Sequence, residues 1–190
     1  IIVDSDNNGS GSSTGNIDYN RYVNAVGTNE WDLIGSPLSN VSIYNFVTNN
    51  TSGTATLAMN GSAYAVGVYD NATDTWTNYT TATAGVDEAA GNFNLGEGYQ
   101  MASVSGGTGI LKFTGTATSG TQFQAVQDYS GASGRRWNLV ANPFPSYING
   151  NDDAHSTNNF LTVNASKMDS PYVAIYGYDA DGSGLSLIHI

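Results

Sequence analysis

A short motif that occurs twice is the feature that most constrains how this chain folds. Residues 31–37 read WDLIGSP and residues 137–143 read WNLVANP, so the pattern W-x-L-[IV]-x-x-P occurs at two places 106 positions apart. Strand side chains alternate between the faces of a sheet, so the Trp and Leu of each copy share one face. The proline lacks an N–H group and is predicted to end each strand. Trp31 and Trp137 are expected to anchor cores, because large aromatic side chains dominate core energetics.

The segments that follow the two motifs also match each other. After the first motif, Ser42 precedes apolar residues at helical spacing, which predicts a short capped helix, and residues 63–70 form an apolar run ending in Tyr-Asp that predicts a buried strand. After the second motif, residues 156–161 repeat the helix pattern and residues 172–179 repeat the apolar strand with the same ending. The sequence therefore predicts a unit of about 105 to 110 residues, present once nearly complete and once truncated.

Further short segments alternate apolar and polar residues, which predicts a chain made mostly of strands. The expected strands are 18–23, 75–79, 93–101, 110–115 and 123–126, with a turn at 71–74 and a Gly-x-Gly bend at 96–98. Many short strands separated by turns are typical of β-sandwiches. We therefore expect an all-β fold: a β-sandwich (jelly-roll-like) module with short helical turns, whose second copy is truncated. The alternative is one larger sandwich built from both halves.

The predicted organisation has four parts. Residues 1–16 are rich in Gly, Ser and Asn and are expected to be the end of a preceding β segment or a linker. Residues 17–134 are the predicted sandwich module, and residues 135–184 are its truncated second copy. Residues 185–190 (LSLIHI) match the translation of a sequencing adapter, so we interpret them as an artefact at the end of a metagenomic fragment. The alternative is a genuine apolar C-terminal strand.

Charge and composition favour an exported protein and argue against nucleic-acid partners and membrane insertion. The net charge is −11 with only five Lys and Arg residues, so a nucleic acid or an anionic membrane surface would be repelled. Charged residues make up 11%, against roughly 25% in an average soluble domain. The chain has no Cys, which excludes disulfides and thiolate metal sites. The sequence has no apolar run near the roughly 20 residues of a membrane span.

Five segments, taken together, carry a family resemblance. They are residues 19–23 (YNRYV), the two W-x-L-[IV]-x-x-P motifs, the Phe-x-x-Gly-x-Gly-Tyr pattern at 93–99, and residues 113–115 (FTG). This combination resembles a recurrent region of large bacterial surface proteins exported by the type IX secretion system. That region often follows a β-solenoid or adhesin-like part and directly precedes a C-terminal sorting domain. The resemblance implies an extracellular location at the bacterial cell surface, and it brings no catalytic residues with it.

Two Asp-rich loops are candidate calcium sites. Carboxylate and amide oxygens are the ligands that calcium prefers, and they occur at the start of a calcium-loop pattern in Asp4, Asp6 and Asn8. Residues 179–184 (DADGSG) are a looser copy. An EF-hand needs Glu at the twelfth position of the loop, where these two loops have Gly and Ile, so neither is an EF-hand. A shorter calcium loop and a plain Asp/Asn/Gly turn stay open as alternatives.

The candidate catalytic groups lack the patterns that known catalytic sites need. A glycosidase uses two carboxylates facing each other across a cleft. The chain has only three Glu residues, and Glu97 lies between two glycines in a bend where we expect it to be exposed. Asp152 and Asp153 precede His155 in a polar loop, without the G-x-S-x-G turn of a serine hydrolase. We therefore expect neither enzymatic activity nor a cofactor beyond a structural calcium ion.

Aromatic residues in strands and loops are the candidate ligand contacts, because an aromatic ring can stack on the apolar face of a sugar ring. The candidates are Trp76, Tyr79, Tyr147 and Tyr178. The alternative is cross-strand pairing within the sheet. The sequence thus predicts a noncatalytic structural or adhesion module of a secreted cell-surface protein, with surface glycans or other surface proteins as partners. The alternative function is a carbohydrate-binding accessory module of a secreted hydrolase.

Overall fold

The computed structural model describes residues 14–27, 31–52, 56–81, 90–128, 137–179 and 184–188. The chain divides into two compact units, Ile1–Pro145 and Ser146–Ile190. Strands dominate, and the few helices are short, so the prediction of an all-β fold is confirmed.

The first unit is built from short antiparallel strands and one helix within its described residues. They are β1 (Asn16–Tyr22), β2 (Asp32–Ile34), α1 (Ile43–Thr51), β3 (Met59–Asn60), β4 (Ala63–Asp70), β5 (Thr75–Thr80), β6 (Tyr99–Met101) and β7 (Ile110–Thr116). β1 and β7 form a two-stranded ribbon in which Asn16 lies opposite Thr116 and Tyr22 lies opposite Ile110. The other five strands form one sheet, where β4 pairs with β3, β5 and β6, and β6 also pairs with β2.

The hairpin between β4 and β5 follows directly from its turn residues. The Asp70 carboxylate accepts hydrogen bonds from the Ala72 N–H at 2.9 Å and from the Thr73 hydroxyl at 2.9 Å. Asp74 adopts a φ of 57°, a conformation that Asp and Asn tolerate better than most residues. The Tyr69 hydroxyl donates to the Asp74 carboxylate at 2.8 Å across the turn. The predicted strand over 63–70 and the turn over 71–74 are both confirmed.

Helix α1 begins at the predicted cap and attaches to β7 through one buried amide. The Ser42 hydroxyl accepts a hydrogen bond from the Asn45 N–H at 3.3 Å, which satisfies a backbone donor of the first turn. Asn50 is buried, and its amide donates to the Lys112 carbonyl at 2.9 Å and accepts from the Lys112 N–H at 2.8 Å. The Asn50 side chain therefore pairs with β7 as a neighbouring strand would.

A cluster of aromatic rings forms the centre of the core in the first unit. The Phe93 ring lies 5.1 Å from that of Phe46 and 4.9 Å from that of Tyr99, both edge to face. The Phe46 ring also lies 4.6 Å from that of Phe113. These rings come from α1, β6, β7 and the loop before β6, so one cluster joins the helix to both sets of strands. Edge-to-face pairs contribute about 0.5–1.5 kcal/mol each beyond burial.

The two motif tryptophans do not belong to this main core. Trp31 is partly buried against a small cluster of Ala58, Ala65 and Ala102. Trp137 keeps 42% of its surface exposed. The expectation that both tryptophans anchor cores is therefore wrong for Trp137, whereas Trp31 packs against the smaller core cluster. Phenylalanines occupy the position where the helix and strands converge.

The predicted strand at 123–126 is also wrong. Residues 121–128 form no strand, and Phe123 is 89% exposed. Four alternating residues are too few to define a buried face by themselves, and here no sheet edge pairs with them. Their backbone is held instead by side chains: Asn138 hydrogen-bonds both the N–H and the carbonyl of Gln127.

The second unit contains one short helix and a hairpin within its described residues. α2 spans Phe160–Asn164, with the Asn159 side chain accepting from the Thr162 N–H at 2.8 Å. Two 3₁₀ turns follow, and β8 (Ile175–Asp179) pairs antiparallel with β9 (Gly184–Ile188). An alternating apolar sequence pairs in this way whatever its origin, so the adapter interpretation of residues 185–190 stays a prediction.

Phe93→Ala is expected to lower the free energy of unfolding by about 3–5 kcal/mol, because it leaves a cavity where three aromatic partners meet. Phe123→Ala is the matched control, and it should change the free energy by less than about 0.5 kcal/mol because that ring is exposed. Urea unfolding followed by tryptophan fluorescence measures both. Equal losses in the two variants would contradict the assignment of Phe93 to the centre of the core.

Candidate functional site

A glycine-flanked bend just before β6 holds the second copy of the W-x-L-[IV]-x-x-P motif. The Gly98 N–H donates to the Leu139 carbonyl at 3.0 Å, and the Ala141 N–H donates to the Gly96 carbonyl at 2.8 Å. Between them, Glu97 and Val140 form an antiparallel bridge. The second motif, which we predicted to begin a second module, thus lies within the first unit, and the predicted tandem organisation stays a prediction.

Glycines make this close approach sterically possible. A Cβ atom on Gly35 would lie 2.3 Å from the Ala141 Cβ and 2.5 Å from the Glu97 carbonyl oxygen. A Cβ atom on Gly98 would lie 2.3 Å from the Leu139 Cγ. Gly96 has a φ of 79°, which side-chain-bearing residues rarely adopt. The bend therefore needs glycine for both its shape and its contact with the motif.

A small cleft opens beside the bend, and we call it the bend cleft. Its volume is about 110 Å³. Its polar lining comes from four separate segments of the first unit and consists of Tyr69, Asn71, Glu97, Gln124, Gln127 and Asn138. Amides, one carboxylate and one phenol give this surface both hydrogen-bond donors and acceptors.

Asn138 clamps one wall of the bend cleft. Its side-chain carbonyl accepts from the Gln127 N–H at 2.9 Å, and its amide donates to the Gln127 carbonyl at 2.9 Å. The same Asn138 carbonyl accepts from the Asn71 amide at 3.2 Å. Asn138 therefore pairs with the backbone of the irregular 121–128 segment and ties it to the β4–β5 turn.

Glu97 is fixed in one orientation by its neighbours. Its Oε2 accepts from the Asn94 amide at 2.7 Å and from the Tyr99 hydroxyl at 2.9 Å. Within the described residues, no hydrogen bond reaches the second carboxylate oxygen, Oε1, and Glu97 lines the bend cleft. Glu97 is partly buried, so the expectation of an exposed side chain is corrected. The bend turns this carboxylate back toward β6 because Tyr99 and Asn94 hold it there.

Tyr99 links the bend cleft to the core. Its ring is 1% exposed, and its hydroxyl also accepts from the Asn94 N–H at 3.1 Å. Burial, first of all, raises the pKa of Tyr99 far above its usual value, and the negative charge of Glu97 acts in the same direction. The Tyr99 phenol therefore stays neutral and keeps its proton available to Glu97.

The structure separates the two strand aromatics that we predicted as ligand contacts. Trp76 lies opposite Tyr69 in the β4–β5 hairpin, with ring centroids 5.1 Å apart, and 40% of its surface is exposed. Since Tyr69 lines the bend cleft, Trp76 lies next to it. Tyr79 packs partly buried against the main core. Burial, and secondarily the charge of Glu97, raise the pKa of Tyr79.

Among the remaining predicted contacts, Tyr147 does not line the bend cleft, and the predicted calcium ligands are outside the described residues. Tyr147 is fully exposed in the second unit, and Tyr178 lies on β8 outside the described side chains. The candidate calcium ligands of the first loop, Asp4, Asp6 and Asn8, lie outside the described residues, as do residues 180–183 of the second loop. Where the structure is described, no three His, Asp or Glu side chains cluster to hold a metal ion.

The polar loop with His155 is a turn held by its own side chain. Nδ1 of His155 accepts from the Asn158 N–H at 2.9 Å and from the Thr157 N–H at 3.3 Å. The Asp153 carboxylate accepts from the Asn151 amide at 3.2 Å. Nδ1 of His155 thus accepts from the backbone and does not donate to a carboxylate, as the histidine of a Ser–His–Asp triad does.

Comparison with known proteins found no matching family model, no matching curated protein and no matching solved structure. In the part of the chain that the structure describes, no helix is both long and apolar enough to cross a membrane.

Sequence reasoning missed most of the bend cleft. Asn71 lies far in sequence from Gln124 and Gln127, and none of the three belongs to the repeated motif. The sequence does contain a signal for Asn138, because this residue occupies the same motif position as Asp32. A polar residue repeated between a Trp and a Leu on a strand is a candidate partner for backbone groups.

Tyr99→Phe is expected to make stability less sensitive to alkali. Below the usual tyrosine pKa of 10.0, Tyr99 keeps its proton in both the folded and the unfolded chain. The contribution of this phenol to the free energy of unfolding is then fully present. Above this usual pKa, only the unfolded chain loses the proton until the raised folded pKa is reached. The free energy of unfolding then falls by up to about 1.4 kcal/mol per pH unit for this group.

Urea unfolding from about pH 8 to about pH 11 measures this slope. The slope should shrink in Tyr99→Phe but not vanish, because the pKa of Tyr79 is raised as well. Tyr22→Phe is the control, since Tyr22 is 64% exposed, and it should keep the wild-type slope. A wild-type slope in Tyr99→Phe would contradict the buried neutral phenol.

Proposed function

We propose that this chain is a noncatalytic structural or adhesion module of a secreted bacterial cell-surface protein, and that the module is repeated in tandem. The observation that carries the proposal is that both copies of the W-x-L-[IV]-x-x-P motif make similar side-chain-to-backbone contacts at two positions. Two motif positions show this equivalence.

The first equivalent position is the residue after the Trp. In the first copy, the Asp32 carboxylate accepts from the Asn24 N–H at 2.6 Å. In the second copy, the Asn138 carbonyl accepts from the Gln127 N–H at 2.9 Å. Each side chain thus binds the backbone of the segment that precedes its own motif.

The second equivalent position is the residue before the Pro. The Leu38 N–H donates to the Ser36 hydroxyl at 3.3 Å, and the Phe144 N–H donates to the Asn142 side chain at 3.1 Å. Both are side-chain turns that place the proline and redirect the chain. Similar side-chain-to-backbone hydrogen bonds at matching positions support a repeated structural unit, in which the motif holds neighbouring segments of the chain together.

The arrangement of the first unit supports a sandwich-like module. Residues from the β1–β7 ribbon, from the five-stranded sheet and from α1 share one hydrophobic core. We infer that the ribbon and the sheet are the two layers of the sandwich, with α1 completing the smaller layer. The type IX secretion resemblance and the low content of charged residues support export to the cell surface.

Surface location has a direct test in cells that carry the gene. An antibody raised against the full chain should label intact cells, and mild protease treatment should remove the label. An antibody against a cytoplasmic protein is the control and should label only permeabilised cells. Label that appears only after permeabilisation would contradict the cell-surface assignment.

Gly35→Ala is expected to weaken the contact between the 96–98 bend and the second motif, because its new methyl group would overlap Ala141 and the Glu97 carbonyl. Overpacking of this kind costs about 1–3 kcal/mol. Hydrogen exchange of the amides of Gly98 and Ala141 should therefore accelerate about tenfold, since about 1.4 kcal/mol corresponds to a factor of ten. Gly15→Ala is the control, because a methyl group there meets no atom within 4 Å. Unchanged exchange rates of these two amides in Gly35→Ala would contradict the steric explanation of this contact.

The bend cleft favours a second candidate function, a carbohydrate-binding accessory module of a secreted hydrolase. The support is the position of the Tyr69–Trp76 ring pair beside a polar cleft. A glycan contact would serve an adhesion module equally well.

A further inference from the structure

We infer that the bend cleft is a binding subsite for one ring of a neutral saccharide. The inference rests on the proposed adhesion role and gives it a site and a ligand class. It places the ligand contact in the cleft, with Glu97 and Gln124 as the principal polar contacts.

The hydrogen-bonding groups of the cleft suit sugar hydroxyls. A hydroxyl both donates and accepts, and neighbouring hydroxyls on a sugar ring present donors in pairs. The Oε1 atom of Glu97 can accept from such a donor, and a hydrogen bond to a carboxylate is roughly twice as strong as one between neutral groups. The Gln124 side chain also lines the cleft, next to Gly96; its amide donates to the Ala125 carbonyl at 3.2 Å and keeps a second N–H and its carbonyl for a ligand.

Glu97 is already oriented before any ligand arrives. Tyr99 and Asn94 hold its Oε2 at 2.9 and 2.7 Å, so binding costs little additional ordering of this side chain. Tyr99 connects Glu97 to the core, because the Tyr99 ring packs edge to face on Phe93. A polar contact fixed by rigid neighbours is what a weak, specific subsite requires.

The aromatic rim supplies the apolar half of the contact. Tyr69 lines the cleft, and Trp76 lies beside Tyr69 with a partly exposed ring. Rings at the edge of a polar cleft can cover the C–H face of a sugar while the amides and the carboxylate bind its hydroxyls.

The negative charges of the cleft and of the whole chain favour a neutral ligand. Among the side chains that line the cleft, the charged one is the carboxylate of Glu97, and the whole chain carries −11. A uronate or a phosphorylated sugar would meet repulsion both locally and from the net charge.

Size limits the ligand to a single ring in the cleft. Its volume of about 110 Å³ is well below the roughly 300–1,000 Å³ of pockets that enclose drug-sized ligands. One module should therefore bind weakly, and repeated modules on one polypeptide would gain avidity without any new contact.

Affinity electrophoresis of the full chain tests the inference. The gels contain β-glucan, xylan, mannan or galactan as neutral probes and polygalacturonate as the anionic probe. We expect at least one neutral polysaccharide to retard the chain and polygalacturonate to have no effect. Glu97→Gln should weaken the retardation about tenfold, because the charge-assisted hydrogen bond is lost. Asp152→Asn removes one negative charge at a residue that does not line the cleft and should behave as the wild type.

Gln124→Ala provides an independent variant, because Gln124 is exposed and its replacement leaves the core intact. It should weaken retardation about threefold, as expected for one neutral hydrogen bond. No retardation by any neutral polysaccharide, or equal retardation of the wild type and both cleft variants, would overturn the inference. So would binding to polygalacturonate alone. The structural role is measured separately by hydrogen exchange and surface labelling, so its failure and the failure of the saccharide subsite are distinguishable.

Discussion

The contact between Phe93 and its aromatic neighbours is the interaction on which the rest of the first unit depends. Phe93 joins α1 through Phe46, β7 through Phe113 and β6 through Tyr99. Tyr99 then extends this packing to Glu97, and Glu97 lies in the bend that carries the second motif. The position of a polar group in the cleft is thus set by an apolar cluster.

The strands of this protein are short, and polar uncharged side chains complete their hydrogen bonding. Asn50 pairs with Lys112 on β7, Asn138 pairs with Gln127, and Ser103 donates to the Val23 carbonyl at 2.8 Å. A buried backbone group without a partner would cost about 1–3 kcal/mol. The side chains of Asn and Ser can satisfy such groups because they supply both donors and acceptors.

Local patterns predicted several elements correctly and failed where the partner was distant. The strand β4 and its turn were predictable because an apolar run ends in Asp and Asn residues that form turns by themselves. Helix α1 was predictable because Ser42 precedes apolar residues at helical spacing. The segment 123–126 has the alternation of a strand, yet no sheet edge faces it. The cleft was not predictable, because four separate segments of the chain meet there.

The sequence by itself determined the local features: strand and helix periodicity, the turn residues, the excess of negative charge and the repeated motif. These depend on interactions between residues only a few positions apart. Only the tertiary structure decided that the second motif docks on the bend before β6, that Glu97 turns inward, and that Asn138 binds Gln127 and Asn71. These depend on whether distant segments fit sterically, as at Gly35 and Gly98, and no local propensity contains that information.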